Sequence, residues 1–141
     1  VNYGNFVRDA HGAVMLHVDH HIPPEMIKNR LVVVLNGKLG RHSCMVVPLS
    51  TTRDDRKTAR GWHVEIPETE IPDLDYFKPQ TRWAKADMIQ QVSSLRLNRP
   101  KQAQGRNIVR LSSSVLSAIQ KAVIKSMHGA HLLRGISDEP I

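Results

Sequence analysis

Cysteine is nearly missing from this sequence: Cys44 stands alone among 141 residues. No disulfide can form within the chain, which suits a reducing compartment. Cys44 sits in an apolar stretch and is expected to act as a small core residue. Aromatic residues are scarce as well, at 4 %, so Val, Ile, Leu and Met must fill most of the core. No apolar run approaches the roughly 20 residues that a membrane-spanning helix needs. The opening Val1-Asn2-Tyr3-Gly4 is polar and does not read as a signal peptide. No membrane association and a cytoplasmic setting are therefore expected. Acidic residues are also in the minority, leaving a net charge of +7 with histidine neutral. A small basic chain of this kind either meets a polyanion or is simply solvated, and its charge says nothing about fold.

What is present reads as one small domain. The length suits a single modest core. Six short apolar or alternating stretches are expected as strands: Ala13–Val18, Leu31–Leu35, Met45–Val47, Trp62–Ile66, Arg82–Met88 and Val92–Leu97. Val1–His11 reads as a loosely held lead-in. Thr52–Gly61 reads as a charged loop, and the span from Glu65 to Asp75, with five acids and no base, as an irregular one. From Arg96 to Arg110 the charge reverses, with five bases and no acid. Ser112-Ser113-Ser114 then offers helix N-caps. Val115, Leu116, Ile119, Val123 and Met127 recur at helical spacing, and Gly129 closes the segment. The expected architecture is mainly β with one C-terminal helix, a strongly bent sheet or small barrel. Its parts are a barrel over about 12–97, a basic connector over 98–111, the helix over about 113–128 and a flexible tail over 129–141.

The chain is organised around Ile22–Thr52. Antiparallel pairing of Leu31–Leu35 with Cys44–Val47, through a polar turn at Asn36–His42, would set the start of one strand beside the end of the other. Glu25 and Arg30 precede the first strand, and Ser50 and Thr51 follow the second. A carboxylate, a guanidinium and two hydroxyls would then meet at one sheet edge. Arg30 and Glu25 read either as a surface ion pair or two solvated loop charges, or as a phosphate-binding fork beside an acid. Ser50 and Thr51 read either as turn residues or as phosphate ligands. No His and Asp at a recognisable spacing makes either a nucleophile.

Trp83, Lys85 and Asp87 alternate, so on a strand they share a face. That is either the solvent face or a groove for single-stranded nucleic acid, where a ring stacks, a cation meets phosphate and a carboxylate moves protons. His17, Asp19, His20 and His21 make a polar turn whose spacing fits no common metal motif, so no metal and no cofactor are expected. Pro23-Pro24 leaves room for His21 to fold back over Glu25.

Three phrases together resemble the PemK/MazF toxins of type II toxin–antitoxin modules, a divergent PemK-like branch: Glu25-Met-Ile-Lys-Asn-Arg30-Leu-Val-Val-Val-Leu35, then Val46-Val-Pro-Leu-Ser50-Thr51-Thr52, then Trp83-Ala-Lys85-Ala-Asp87. The resemblance covers about Gly12 to Leu97. It implies an SH3-like small barrel of the kind shared by CcdB, PemK and MazF toxins, a homodimer, a cognate antitoxin, and metal-independent cleavage of single-stranded RNA such as mRNA to a 2′,3′-cyclic phosphate. It further implies that Glu25, Arg30, Lys85 and Asp87 are catalytic, with Asp87 as base and Glu25 its competitor. Ser50 and Thr51 would hold the phosphate; the alternation of Trp83 with Lys85, the turn that folds His21 back, and the basic run with Arg96 and Arg99 add these four as expected RNA contacts. The chain departs from the family pattern in having Leu31 where the Arg is usually followed by Pro, Met26 for Gln, and Pro24 where a His sometimes stands. Two other readings share the fold: a non-catalytic nucleic-acid-binding regulator, and a CcdB-like gyrase poison. The gyrase poison is disfavoured because the ending Ser137-Asp-Glu-Pro-Ile141 lacks the expected Trp-Gly-Ile-like terminus.

Overall fold

A computed structural model describes residues 1–102, 105–106 and 108–135. In chain order it comprises strands β1 (Val32–Gly40) and β2 (Ser43–Ser50), a one-turn helix α1 (Asp55–Ala59), strands β3 (His63–Ile66), β4 (Arg82–Lys85) and β5 (Gln90–Ser93), a two-residue pair β6 (Lys101–Gln102) and β7 (Gly105–Arg106), and helix α2 (Ser113–Ser126). The chain is mainly antiparallel β with one long C-terminal helix. The main sheet runs β1-β2-β4-β3, with β5 also on β2. Among the described residues the sheet stays open, bent into two parts that share β2.

The bend has a legible cause. β2 pairs with β5 over Ser43–Val46 and with β4 over Leu49–Ser50. Pro48 falls between the two partners. The Leu49 amide donates to Leu31 on the β1 side (2.9 Å), so alternation aims position 48 at the other side. The missing proline N–H therefore falls where β2 changes partner and leaves no ladder donor unpaired.

The core is aliphatic, as the scarcity of rings requires. Val47, Leu49, Ile66, Ile71, Leu74, Ala84 and Ile119 form its main cluster. Cys44 is buried with Val46 and Val92 in a smaller one, as expected. Helix α2 starts where the serines indicated: Ser112 caps it by accepting from the Val115 amide (3.4 Å), and its own amide and hydroxyl donate to the Glu70 carboxylate (both 3.0 Å). The helix buries Ile119 and Ala122, while Met127 is exposed and does not belong to the apolar face. His128, not Gly129, takes the left-handed conformation at the helix end (φ 61°). Gly129 is needed for closeness instead, since a Cβ there would lie 2.8 Å from the Ile124 carbonyl oxygen.

Several expectations fail for identifiable reasons. Ala13–Val18 is not a strand; only a bridge between Arg8 and Val14 forms, and Leu16 and Val18 are exposed, so alternation there reflects no buried face. The lead-in is not loose: Asn2 bridges Asn29, and the Tyr3 amide donates to Lys28 (2.8 Å). The hairpin turn shrinks to Arg41–His42, because irregularities near Asn36 let β1 run on to Gly40. The charged loop contains α1, capped by Asp54, whose carboxylate accepts from the Lys57 amide (3.0 Å). The fifth strand ends at Lys85, and Ala86–Met88 is a 3-10 turn. The sixth occupies Gln90–Ser93 and gives way to a 3-10 turn at Ser94–Arg96. The expected tail begins with a further 3-10 turn, Ala130–Leu133, and from residue 136 lies outside the described residues.

Candidate active site

The β1–β2 pairing sets Val32 opposite Pro48, which brings Arg30 to the edge where β2 delivers Ser50 and Thr51. A cavity of about 270 Å³ opens there, lined among others by Arg30, Ser50, Thr51, Lys78 and Arg82. Among the described residues its lining holds three cationic side chains and no carboxylate. Arg30 is half-buried and oriented from below: its Nε donates to the Ile27 carbonyl (3.1 Å), and its own amide donates to Val1 (2.8 Å). Ser50 is buried, and its hydroxyl accepts from the Thr52 amide (3.1 Å), which turns the chain out of the sheet and leaves Thr51 exposed. That is the turn chemistry read from the sequence, and it also leaves the hydroxyls facing a basic cavity.

Glu25 does not join this group. Its carboxylate accepts from the Ile22 amide (2.6 Å), closing its own turn, and among the described residues no ion pair links it to Arg30. Of the plain readings, the ion pair does not form among the described residues, while Glu25 is an exposed loop charge. His21 and Arg96 line a second cavity of about 310 Å³, with Tyr3, Gln90 and Gln91. His21 packs over Gly4, whose positive φ (78°) and contact with the ring (3.3 Å for an added Cβ) both favour glycine. Arg99 is exposed and lines neither cavity.

On β4, Ser50 pairs with Trp83 and His63 with Lys85. Ser50, Trp83, Lys85 and His63 thus share the sheet face opposite the Leu49–Ala84 core face. Trp83 is half-buried, and its indole N–H has no partner. Burial lowers the pKa of Lys85, opposed by the Asp87 charge, while the positive charges of Lys57 and Arg30 lower it further. Lys85 thus feels both Arg30 at the cavity and Asp87 beyond the strand end. Among the described residues no carboxylate lies within ion-pairing distance of its ammonium.

Asp87 is held by two residues that the sequence reading passed over. Lys57 of α1 donates to its Oδ2 (2.6 Å), and His63 Nε2 meets its Oδ1 (2.7 Å). His63 is buried, and burial lowers its pKa against the raising effect of Asp87. Its Nδ1 is buried and has no partner among the described residues. A protonated ring would leave an orphan N–H there, so the neutral Nε2–H tautomer, donating to Asp87, is the one that fits. His63 therefore orients the carboxylate. The signal for His63 and Lys57 was faint: a His on an alternating strand, and one lysine among several in a charged loop.

No three His, Cys, Asp or Glu side chains come together as a metal centre among the described residues. His17 Nδ1 instead meets Asp19 (3.6 Å) in an exposed turn. No helix among the described residues is long and apolar enough to cross a membrane.

The chain is 51 % identical over 133 residues to an uncharacterized Escherichia coli (strain K12) protein, YifN, covering 94 % of this chain and 89 % of that one. It is 39 % identical over 117 residues to an uncharacterized protein of Haemophilus influenzae, covering 83 % and 81 %. A profile of the PemK-like, MazF-like toxins matches residues 12–127, a span that takes in Arg30, Ser50, Lys85, Asp87 and helix α2. With most of its length matched and the mainly β, helix-ended fold in agreement, the chain belongs to the PemK-like, MazF-like toxin family of type II toxin–antitoxin systems.

Proposed function

We propose that this toxin is an endoribonuclease that cuts single-stranded RNA without a metal, by attack of the substrate's own 2′-hydroxyl on the adjacent phosphate. The observation that carries the reading is the basic cavity at the end of β2, lined by no carboxylate among the described residues, with Lys85 on the sheet face of Ser50 and an oriented Asp87 just beyond the end of its strand. The reaction needs a base for the 2′ proton, an acid for the leaving 5′ oxygen and donors for the equatorial oxygens. Arg30 supplies a two-pronged donor to the phosphorane, with Ser50 and Thr51 holding the phosphate. Asp87 accepts the proton. It is preferred to Glu25 because it lies beside the Lys85–Arg30 group, whereas Glu25 closes a separate turn. Lys85 is partly desolvated and, among the described residues, has no carboxylate at ion-pairing distance, which suits it to the leaving oxygen. Trp83 offers a stacking surface. His21, Arg96 and Arg99 lie off this centre and serve only flanking RNA. The product is a 2′,3′-cyclic phosphate, the working form a cytoplasmic homodimer, and the partner an antitoxin.

The test is incubation of a long mixed RNA in EDTA with wild type and Arg30→Ala, beside RNA affinity for both. Wild type is expected to cut at discrete sites. Arg30→Ala is expected to lose cleavage by a factor of roughly a hundred or more while keeping most of its affinity, since the lost donor acts at the transition state. Arg30→Lys rescues little. Wild type that binds but never cuts would favour the non-catalytic regulator, and full activity in Arg30→Ala would end the site assignment.

A further inference from the structure

Arg82 presents an energetic anomaly. It is buried (4 % exposed) on the core side of β4, opposite Ile66. Among the described residues no carboxylate lies within ion-pairing distance of it. Its guanidinium donates to the carbonyls of Lys78 (3.0 Å) and Gln80 (3.5 Å) and sits 5.9 Å from the centre of the Phe77 ring. Burial lowers its pKa. A buried cation normally carries a counter-charge, because two carbonyls and a ring face offset only part of its lost hydration. A guanidinium has five donors, and these carbonyls engage two of its nitrogens. A side chain this costly, left without its partner at the wall of a cavity, is built for a partner that arrives from outside.

The cavity identifies that partner's chemistry. Arg82 lines it together with Arg30 and Lys78, and no acid among the described residues lines it. At about 270 Å³ it is larger than a single anionic group needs, which leaves space beside the group held by Arg30, Ser50 and Thr51. Lys78 and Gln80 line the cavity, and their carbonyls accept from Arg82, so one loop both lines the cavity and holds the guanidinium.

We propose that Arg82 and Lys78 form a phosphate site of their own, which holds a phosphodiester flanking the scissile one. This rests on RNA being the substrate. Arg30, Ser50 and Thr51 act on the phosphate that reacts. Arg82 and Lys78 grip a neighbouring phosphate that carries the same charge before and during reaction. Such a contact strengthens ground state and transition state alike, so its loss is felt in KM and not in kcat.

Arg82→Met and Lys78→Gln test this, beside wild type, on a short single-stranded RNA. Both variants are expected to bind RNA more weakly and to raise KM, Arg82→Met by about tenfold, and each should lower the slope of log affinity against log salt by about one. Arg82→Met is also expected to melt no lower than wild type without anion, because it replaces an uncompensated buried charge by an apolar chain. Inorganic phosphate should raise the melting temperature of wild type and not that of Arg82→Met. Unchanged RNA affinity and salt slope in both variants overturn the proposal, as does a loss of kcat at unchanged KM. If Arg82→Met unfolds, the guanidinium is structural unless exposed Lys78→Gln still shows the affinity and slope changes. If both variants keep RNA affinity but lose binding of polyglutamate, the site serves an acidic protein instead and the proposal falls. If wild type binds no RNA yet phosphate still stabilises it through Arg82, the ribonuclease reading has failed and the anion site alone survives.

Discussion

The Lys57–Asp87–His63 group makes a quantitative claim about how the carboxylate is held. Asp87→Asn keeps the shape and still lets Oδ1 accept from His63 Nε2 (2.7 Å in the native protein), but it removes the charge that meets Lys57 at 2.6 Å. A hydrogen bond to a charged group is worth roughly 1.5–3 kcal/mol. The Lys57 side chain is 36 % exposed, so its ammonium recovers part of that from water, and a net cost of about 1–2 kcal/mol is expected. Lys57→Met should cost a similar amount, because it leaves a largely buried carboxylate (14 % exposed) with His63 as its main partner. The two losses are one loss counted twice, so the double variant should be more stable than their sum by about 1 kcal/mol. Urea unfolding of the four proteins measures this coupling. Additivity within about 0.3 kcal/mol would show that the pair carries no interaction energy and that Asp87 is positioned by something else. Cleavage by the same proteins then separates support from chemistry: Asp87→Asn should be inactive, while Lys57→Met, which only loosens the carboxylate, should retain part of the rate.

Three further outcomes follow from the packing and the titration. Burial holds the pKa of His63 below its ordinary value of 6.5, so the unfolded chain takes up the proton first. Its contribution to stability is complete above pH about 6.5 and declines as the pH falls below that value; thermal melts should show this, and His63→Gln should flatten the dependence. Gly129→Ala places a methyl 2.8 Å from the Ile124 oxygen and 2.9 Å from its Cγ2, and should lose about 1–3 kcal/mol in urea unfolding. Ile119→Ala empties a fully buried site between α2 and the sheet, and should lose about 2–5 kcal/mol in the same assay.

The sequence by itself determined the parts whose physics is local. Two apolar runs around a polar turn dictated the β1–β2 hairpin, and antiparallel geometry alone placed Arg30 beside Ser50 and Thr51. The serines before Val115 and the 3.6-residue recurrence dictated α2. The scarcity of aromatics dictated an aliphatic core with Cys44 inside it. What depends on which residues meet across long separations was decided only by the tertiary structure. Thr52–Gly61 looks like a solvated charged loop until Asp54 caps a turn of helix and Lys57 finds Asp87, thirty residues on. His63 looks like one more polar strand residue until α1 and the turn after β4 close over it and strip it of water. Arg82 looks like a strand-end charge until the alternation of β4 turns it inward, where the cost of burying it without a counter-ion becomes visible. Glu25, five residues before Arg30, closes its own turn by accepting from the Ile22 amide. Local pattern specifies elements because each residue answers to its near neighbours. A site is specified by burial and charge, which exist only once distant segments have packed.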